Sequence, residues 1–251
     1  MMYHPTLDKL QQLKLTGMLR ALQDQEGIPD IRTMPFEERL GLMVDRELTE
    51  RDNRRMQTRL RAAKLKHGAA LEDIDFKTAR GLDRSLIMKL AGCEWVAEHL
   101  NVLITGATGV GKTWLACALA HKACREGYNS SYVRLSRLFQ ELDIGRADGS
   151  YARTMRQMAK TDVLVMDDWG LAVLSDQHRR DLLEILDDRY NLRATVITSQ
   201  LPISHWHEAV GDPTLADAIL DRVVHNAYKI NLSGSSMRKE REKLTTVSPK
   251  P

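Results

Sequence analysis

The chain has 251 residues, of which 43% are hydrophobic and 28% charged. This is the ordinary composition of a soluble globular protein, long enough for a full α/β core. Its net charge of +3 permits a polyanionic partner without requiring one. Three cysteines without CxxC spacing exclude a cysteine metal site, and there is no apolar run of about 18 residues and no signal-type start, which predicts a cytoplasmic protein without a membrane span.

Residues 5–26 place Leu7, Leu10, Leu13, Leu15, Met18, Leu19 and Leu22 at three- and four-residue steps, the apolar stripe of one amphipathic helix, closed by Gly27 and Pro29. A second helix is expected from Pro35, with acids in its first turn, to about Lys66, with Leu40, Met43, Val44, Leu48, Met56 and Leu60 facing inward. Its second half is nearly all of one sign: Arg51, Arg54, Arg55, Arg59, Arg61, Lys64 and Lys66 stand against Asp52 alone. A solvated helix face reads this way, and so does a phosphate-binding stripe; on the second reading Arg51, Arg54, Arg55 and Arg59 contact DNA. Residues 1–70 thus form an expected all-helical N-terminal domain and residues 71–251 a second domain. In the latter, short apolar strands (101–106, 130–136, 162–167, 194–199) alternate with helical patterns. Alternation of that kind predicts an α/β fold with a central parallel sheet flanked by helices, its active site at the carboxyl ends of the strands.

Two motifs sit at such ends. GATGVGKT (106–113) follows the strand NVLIT and precedes the helical run WLACALAHKAC, the context that a phosphate loop requires. Gly106, Gly109 and Gly111 let the backbone turn its amides toward a phosphate, and the helix N-terminus adds a favourable dipole. Ala107, Thr108, Val110 and Trp114 complete the expected nucleotide-binding run. Lys112 is expected to reach the β- and γ-phosphates and Thr113 to ligate Mg²⁺. The second motif, VLVMDDWG (163–170), ends a hydrophobic strand on two adjacent carboxylates, which is costly unless a cation or a proton-transfer task occupies them. A metal held by Thr113 and Asp167 accounts for the first acid, and a base for the attacking water accounts for Asp168.

These two motifs, with ITSQLP (197–202), AILDRVVHNAYKINLSGSSMRK (218–239) and LQQLKLTGMLRAL (10–22), resemble the AAA+ ATPases of the initiator and helicase-loader clade, and within it the IstB-like transposition helper ATPases of bacterial insertion sequences. The resemblance spans nearly the whole chain. It implies an AAA+ P-loop NTPase fold, with Gln200, or failing it Ser199, as the sensor-1 residue at the γ-phosphate. It also implies Arg222 as an arginine finger offered to a neighbouring subunit's ATP, and Arg238 as the sensor-2 residue in cis. Read without the resemblance, Gln200 is a turn amide before Pro202 and Arg222 a salt-bridge partner of Asp221 or Asp217.

The clade further implies that the insertion at 137–162 lines a nucleic-acid channel with Arg146, Arg153, Arg156 and Lys160, although a solvated helical excursion has the same composition. Three departures stand out. Asp168 replaces the commoner Glu of AAA+ proteins, Trp114 stands where the clade has a smaller or polar residue, and the chain ends too soon after Arg238 for a full helical lid. The implied function is an ATP- and Mg²⁺-dependent ATPase that oligomerises on double-stranded DNA and assists a transposase in target capture. A replicative helicase loader and a non-hydrolysing nucleotide-dependent adaptor are the alternatives.

Overall fold

The computed structural model describes residues 5–237, which fall into two compact units divided between Thr58 and Arg59. The first unit opens with α1 (Pro5–Gln12) and α2 (Thr16–Glu26), where the periodicity had suggested one continuous helix. The break is a C-terminal cap: Lys14 adopts φ 58°, its amide bonds back to Gln11, and the Leu15 amide bonds to Leu10. That bonding pattern closes a helix whether or not the left-handed position is glycine.

Long α3 (Phe36–Ala63) follows, starting just after Pro35. The inward set expected on it is observed only in part: Met43, Met56 and Leu60 are half-buried, but Leu40, Val44 and Leu48 are exposed, and the buried positions are Glu47 and Ala63. The reason is that α2 has no side-chain cap of its own, since Leu15 stands at its N-cap. The Glu47 carboxylate takes that place, accepting the Gly17 amide at 2.7 Å and the Met18 amide at 3.2 Å, so the end of α2 rests on a charge. A Cβ on Gly17 would lie 2.6 Å from the Glu47 Cα, so only glycine permits this approach.

In the second unit, α4 (Arg84–Ala91) and α5 (Glu94–Ala97) precede β1 (Asn101–Gly106), α6 (Lys112–Arg125), β2 (Ser130–Arg134), α7 (Leu135–Asp148), α8 (Tyr151–Lys160), β3 (Val163–Trp169), α9 (Asp176–Arg189), β4 (Ala194–Ser199), α10 (Trp206–Val210), α11 (Pro213–Val224) and β5 (Ala227–Leu232). The sheet is parallel throughout, in the order β2-β3-β4-β1-β5. β5 was not among the expected strands, although Tyr228, Ile230 and Leu232 alternate with Lys229 and Asn231; it pairs along the full length of β1.

Strand residues alternate between two cores. Val102, Ile104, Val163, Val165 and Val196 pack with Leu115, Ala116, Leu119 and Ala120 of α6 on one face. Leu103, Leu164, Met166 and Ile197 pack with side chains of α7, α8, α9 and α11 on the other. Both faces are therefore covered, which is why the strands read as unbroken apolar runs. The three cysteines are free and buried.

Candidate functional site

The glycine loop lies between the end of β1 and the start of α6. Gly106 (φ 143°) and Gly109 (φ 87°) take conformations that other residues rarely adopt, and a Cβ on either would collide, with the Leu232 carbonyl and with the Ser236 hydroxyl respectively. Val110 anchors the loop by inserting into the core beside α6, while Ala107 and Thr108 stay exposed at its tip. Lys112 folds back across the loop and donates to the Ala107 carbonyl at 2.8 Å, so its ammonium sits over the concavity that the loop encloses. Trp114 points elsewhere, packing, as Leu65, Leu71 and Tyr132 do, against the buried cluster of Ala69, Cys117 and Ala118.

β4 separates β1 from β3, and its end carries the polar groups that bridge the two motifs. Asp167 is fully buried, accepting from Thr113 Oγ1 at 2.7 Å and from Thr198 Oγ1 through Oδ1, and from Tyr132 OH through Oδ2. Burial works to raise its pKa, but the three hydroxyls and the nearby Lys66 ammonium outweigh it and hold the carboxyl below the usual carboxylate range. Consecutive strand residues ordinarily point to opposite faces. Here the pairing with β4 is irregular between Met166 and Trp169, and Asp168 takes φ 65°, so both acids serve the same end of the sheet. Asp168 turns outward to Arg134, whose Nε lies 2.9 Å from Oδ2.

Gln200 faces the loop, its Oε1 accepting from Thr108 Oγ1 at 2.7 Å. Ser199 is buried and structural in its contacts, donating to the Trp169 carbonyl at 2.8 Å and accepting the Leu201 amide at 3.0 Å. Lys112, Thr113, Asp167, Asp168 and Gln200 are thus brought together around one loop. Besides Tyr132, three further groups join them whose place at the site was not expected, Lys66 having been read only as part of a basic stripe. Arg134 is at the end of β2, and only the β2–β3 register, Arg134 beside Asp167, brings it there. Lys66 reaches Asp167 Oδ2 at 3.6 Å. Arg80 is buried behind the loop, with its guanidinium 3.2 Å from the Asp75 carbonyl and 3.5 Å from that of Val110.

Among the described residues no group of three or more His, Cys, Asp or Glu side chains could hold a metal. A hard dication that takes most of its ligands from phosphate and water needs no such cage. The Thr113 hydroxyl and the Asp167 carboxylate, 2.7 Å apart at the mouth of the phosphate loop, are hard oxygen donors that fit Mg²⁺.

Arg222 lies at the other edge of the sheet. Its carbonyl accepts from Asn101, the first residue of β1, at 3.1 Å, and its guanidinium pairs with Asp187 on α9, with Asp221 more distant at 4.0 Å. At about 3.3 Å per residue, β1 puts roughly 16 Å between Asn101 and the glycine loop, more than an arginine side chain spans. Of the partners the residues alone had suggested, Asp221 is present at 4.0 Å and Asp217 is not among the ion pairs of Arg222 in the described residues; the closer partner is Asp187. Arg238 falls outside the described residues.

The candidate DNA contacts divide by environment. Arg51 bonds to Glu47 at 2.6 Å, Arg54 to the Thr16 hydroxyl at 2.9 Å, and Arg59 to the Cys124 carbonyl at 3.0 Å. Arg146 is tied to buried Asp181 and stacks 4.5 Å over the Tyr151 ring. Arg55, paired with Asp52 at 3.7 Å, remains 70% exposed, and Arg153, Arg156 and Lys160 form the exposed face of α8 opposite buried Met155 and Met158.

Comparison with known proteins follows the same outline. The family described as IstB-like ATP binding protein matches residues 8–245. An insertion-sequence ATP-binding protein of Sinorhizobium fredii is 51% identical over 97% of this chain and 99% of its own. One from Mycobacterium tuberculosis is 31% identical over 95% of this chain and 96% of its own. Among solved structures, DnaI superposes with a TM-score of 0.58 at 26% identity over 70% of this chain and 93% of its own. The DnaC helicase loader, at 22% identity with a TM-score of 0.56 over 68% of this chain and 99% of its own, shares the fold. No helix among the described residues is long and apolar enough to cross a membrane. Because the match takes in the helical N-terminal region as well as the sheet, the chain as a whole belongs to the IstB-like ATP-binding protein family, built on the AAA+ phosphate-loop fold.

Proposed function

We propose that this protein is a cytoplasmic ATPase that assembles as a homo-oligomer on double-stranded DNA and assists a transposase in capturing its target. The observation that carries the enzymatic part is the continuous hydrogen-bonded path Thr113–Asp167–Thr198, which ties the phosphate loop to the acid pair across β4. A loop meant only to bind a phosphate has no need of a buried acid bonded to its threonine with a second acid beside it.

In the proposed reaction the loop amides and Lys112 hold the β- and γ-phosphates, and Gln200 orients a water toward the γ-phosphorus. Asp168, fixed by Arg134, accepts the proton as the water oxygen bonds to phosphorus and the bond to the bridging oxygen breaks, leaving ADP and phosphate. Magnesium, when bound by Thr113 and Asp167, supplies charge stabilisation to the phosphate oxygens. Arg222, too far from its own loop, is offered to the ATP of a neighbour, which makes assembly and hydrolysis interdependent.

The DNA-binding part rests on charge placement. Arg153, Arg156 and Lys160 on α8, together with Arg55, present outward cations suited to phosphates. Arg51, Arg54, Arg59 and Arg146 are already engaged and contribute less. The transposase partner is inferred from the relatives' insertion-sequence origin. ATP turnover should be measured with and without duplex DNA, alongside sedimentation of the protein on DNA in ATP and in ADP. The expected result is DNA-stimulated hydrolysis and ATP-dependent assembly. ATP binding without any turnover on DNA would reduce the protein to a nucleotide-dependent adaptor.

A further inference from the structure

The segment that joins α3 to the sheet domain makes an excursion along α6. It starts at the far end of that helix, where Arg59 donates to the Cys124 carbonyl at 3.0 Å. It reaches the phosphate end, where Lys66 meets Asp167 at 3.6 Å. It then returns, so that Glu72 pairs with Arg125 one residue beyond Cys124. Lys66 is at the tip. On either side of it the segment is pinned to the helix: fully buried Ala69 clusters with Cys117 and Ala118, and Leu65 and Leu71 pack against that cluster.

The charges at the tip are matched one to one: Lys66 with Asp167, Arg134 with Asp168. Asp167 has no exposed surface; it accepts from three neutral hydroxyls, and Lys66 forms an ion pair with it at 3.6 Å. Lys66 approaches Oδ2, while Thr113, the other candidate metal ligand, holds Oδ1. A dication at this carboxylate and an ammonium 3.6 Å from the same carboxylate repel each other; Asp167 is fully buried and the Lys66 side chain 32% exposed, so solvent screens the repulsion in part.

We propose that Lys66 is a built-in counter-ion that competes with the nucleotide's magnesium for Asp167, so that loading of the site loosens the segment carrying it, residues 64–70. This rests on the reading of the site as a magnesium–ATP site. Linkage makes the effect reciprocal: whatever the Lys66 pair contributes, the metal must overcome, and the metal weakens the pair by the same factor. The segment continues directly from α3, so a nucleotide-dependent change there is reported at the root of the helix that enters the N-terminal unit.

The test uses the full-length protein and a fluorescent non-hydrolysable ATP analogue, with magnesium titrated at saturating analogue. Lys66→Met, with Lys66→Gln as a second neutral variant, is expected to lower the half-saturating magnesium concentration by about three- to tenfold, since a like charge has been removed. Lys66→Arg keeps the charge and is expected to stay within about twofold of the parent. In hydrogen exchange, amides 64–70 of the parent should exchange faster with analogue plus magnesium than with analogue plus chelator, and the neutral variants should lose that difference. A purely structural lysine would lower the melting temperature of the variants without lowering their magnesium requirement, and that outcome overturns the proposal. A parent that binds no nucleotide would overturn the reading of the site along with it, whereas normal parental binding and an unshifted half-point in the neutral variants overturn this inference alone.

Discussion

The two edges of the sheet treat their charges in opposite ways. At the carboxyl edge, acids and cations are held in a network of short bonds: Asp167 among three hydroxyls and Lys66, Asp168 on Arg134, Lys112 across its loop. At the amino edge two arginines stand close together with different tasks. Arg189 is buried and donates to Met158 and Thr161 carbonyls at 2.6 and 2.7 Å, to the Thr195 hydroxyl at 3.0 Å, and to the Ala194 carbonyl, which closes α9 onto the sheet. Arg222 is partly exposed and rests on Asp187, itself 47% exposed. A surface ion pair of that kind is worth about 0–1 kcal/mol, so it is surrendered cheaply. One edge holds its charges in a bonded network; at the other, one arginine is buried in the fold and one rests in surface contacts.

The strongest way to break this comparison is Arg222→Ala. If the finger acts on a neighbour, the variant binds ATP normally but loses about 10³–10⁵ in hydrolysis rate, together with ATP-dependent assembly on DNA. Mixing it with Lys112→Ala should restore part of the activity, because the Lys112→Ala subunit still offers its own Arg222 to an intact loop. Mixtures shown by cross-linking to co-assemble, yet fully inactive, would return Arg222 to the role of a surface ion pair.

Next in size is Asp168→Asn, which keeps the shape but cannot take the water's proton. Single-turnover hydrolysis should fall by about 10²–10⁴ while calorimetric ATP affinity is preserved. An unchanged rate assigns the base elsewhere. Arg189→Met sharpens the contrast between the two arginines. By stranding buried acceptors it should cost about 3 kcal/mol of unfolding free energy in denaturant titration, where Arg222→Ala costs less than about 1 kcal/mol. The smallest expected effect is on α8. Alanine at Arg153, Arg156 or Lys160 should each lower the slope of log DNA affinity against log salt by about 0.9 per lost phosphate contact, and a slope that ignores all three makes this a solvated face.

Much of the carboxyl edge was legible in the chain. GATGVGKT and VLVMDDWG are contiguous, and their chemistry depends on local backbone shape, so neighbouring residues suffice to reveal it. The groups that were missed, Arg134, Lys66, Tyr132 and Arg80, reach the site only through strand order or a returning segment, and nothing adjacent in sequence marks them. The helical unit failed in a related way. Leu40, Val44 and Leu48 have helical spacing, but the packed side of α3 is chosen by Glu47 capping a different helix, a contact across 30 residues. β5 was the exception: its alternation is local and was overlooked, and its pairing with β1 is complete.

The left-handed backbone at Asp168 also constrains which acids evolution or engineering can place there. Among side chains with a Cβ, Asp and Asn tolerate φ 65° best because their short polar groups bond locally, whereas Glu gains nothing from that and carries a longer chain into the same turn. The shorter acid therefore suits the bulge that turns two successive carboxylates to one end of the sheet. Exchanging Asp168 for Glu would change the local backbone preference together with the reach of the carboxylate.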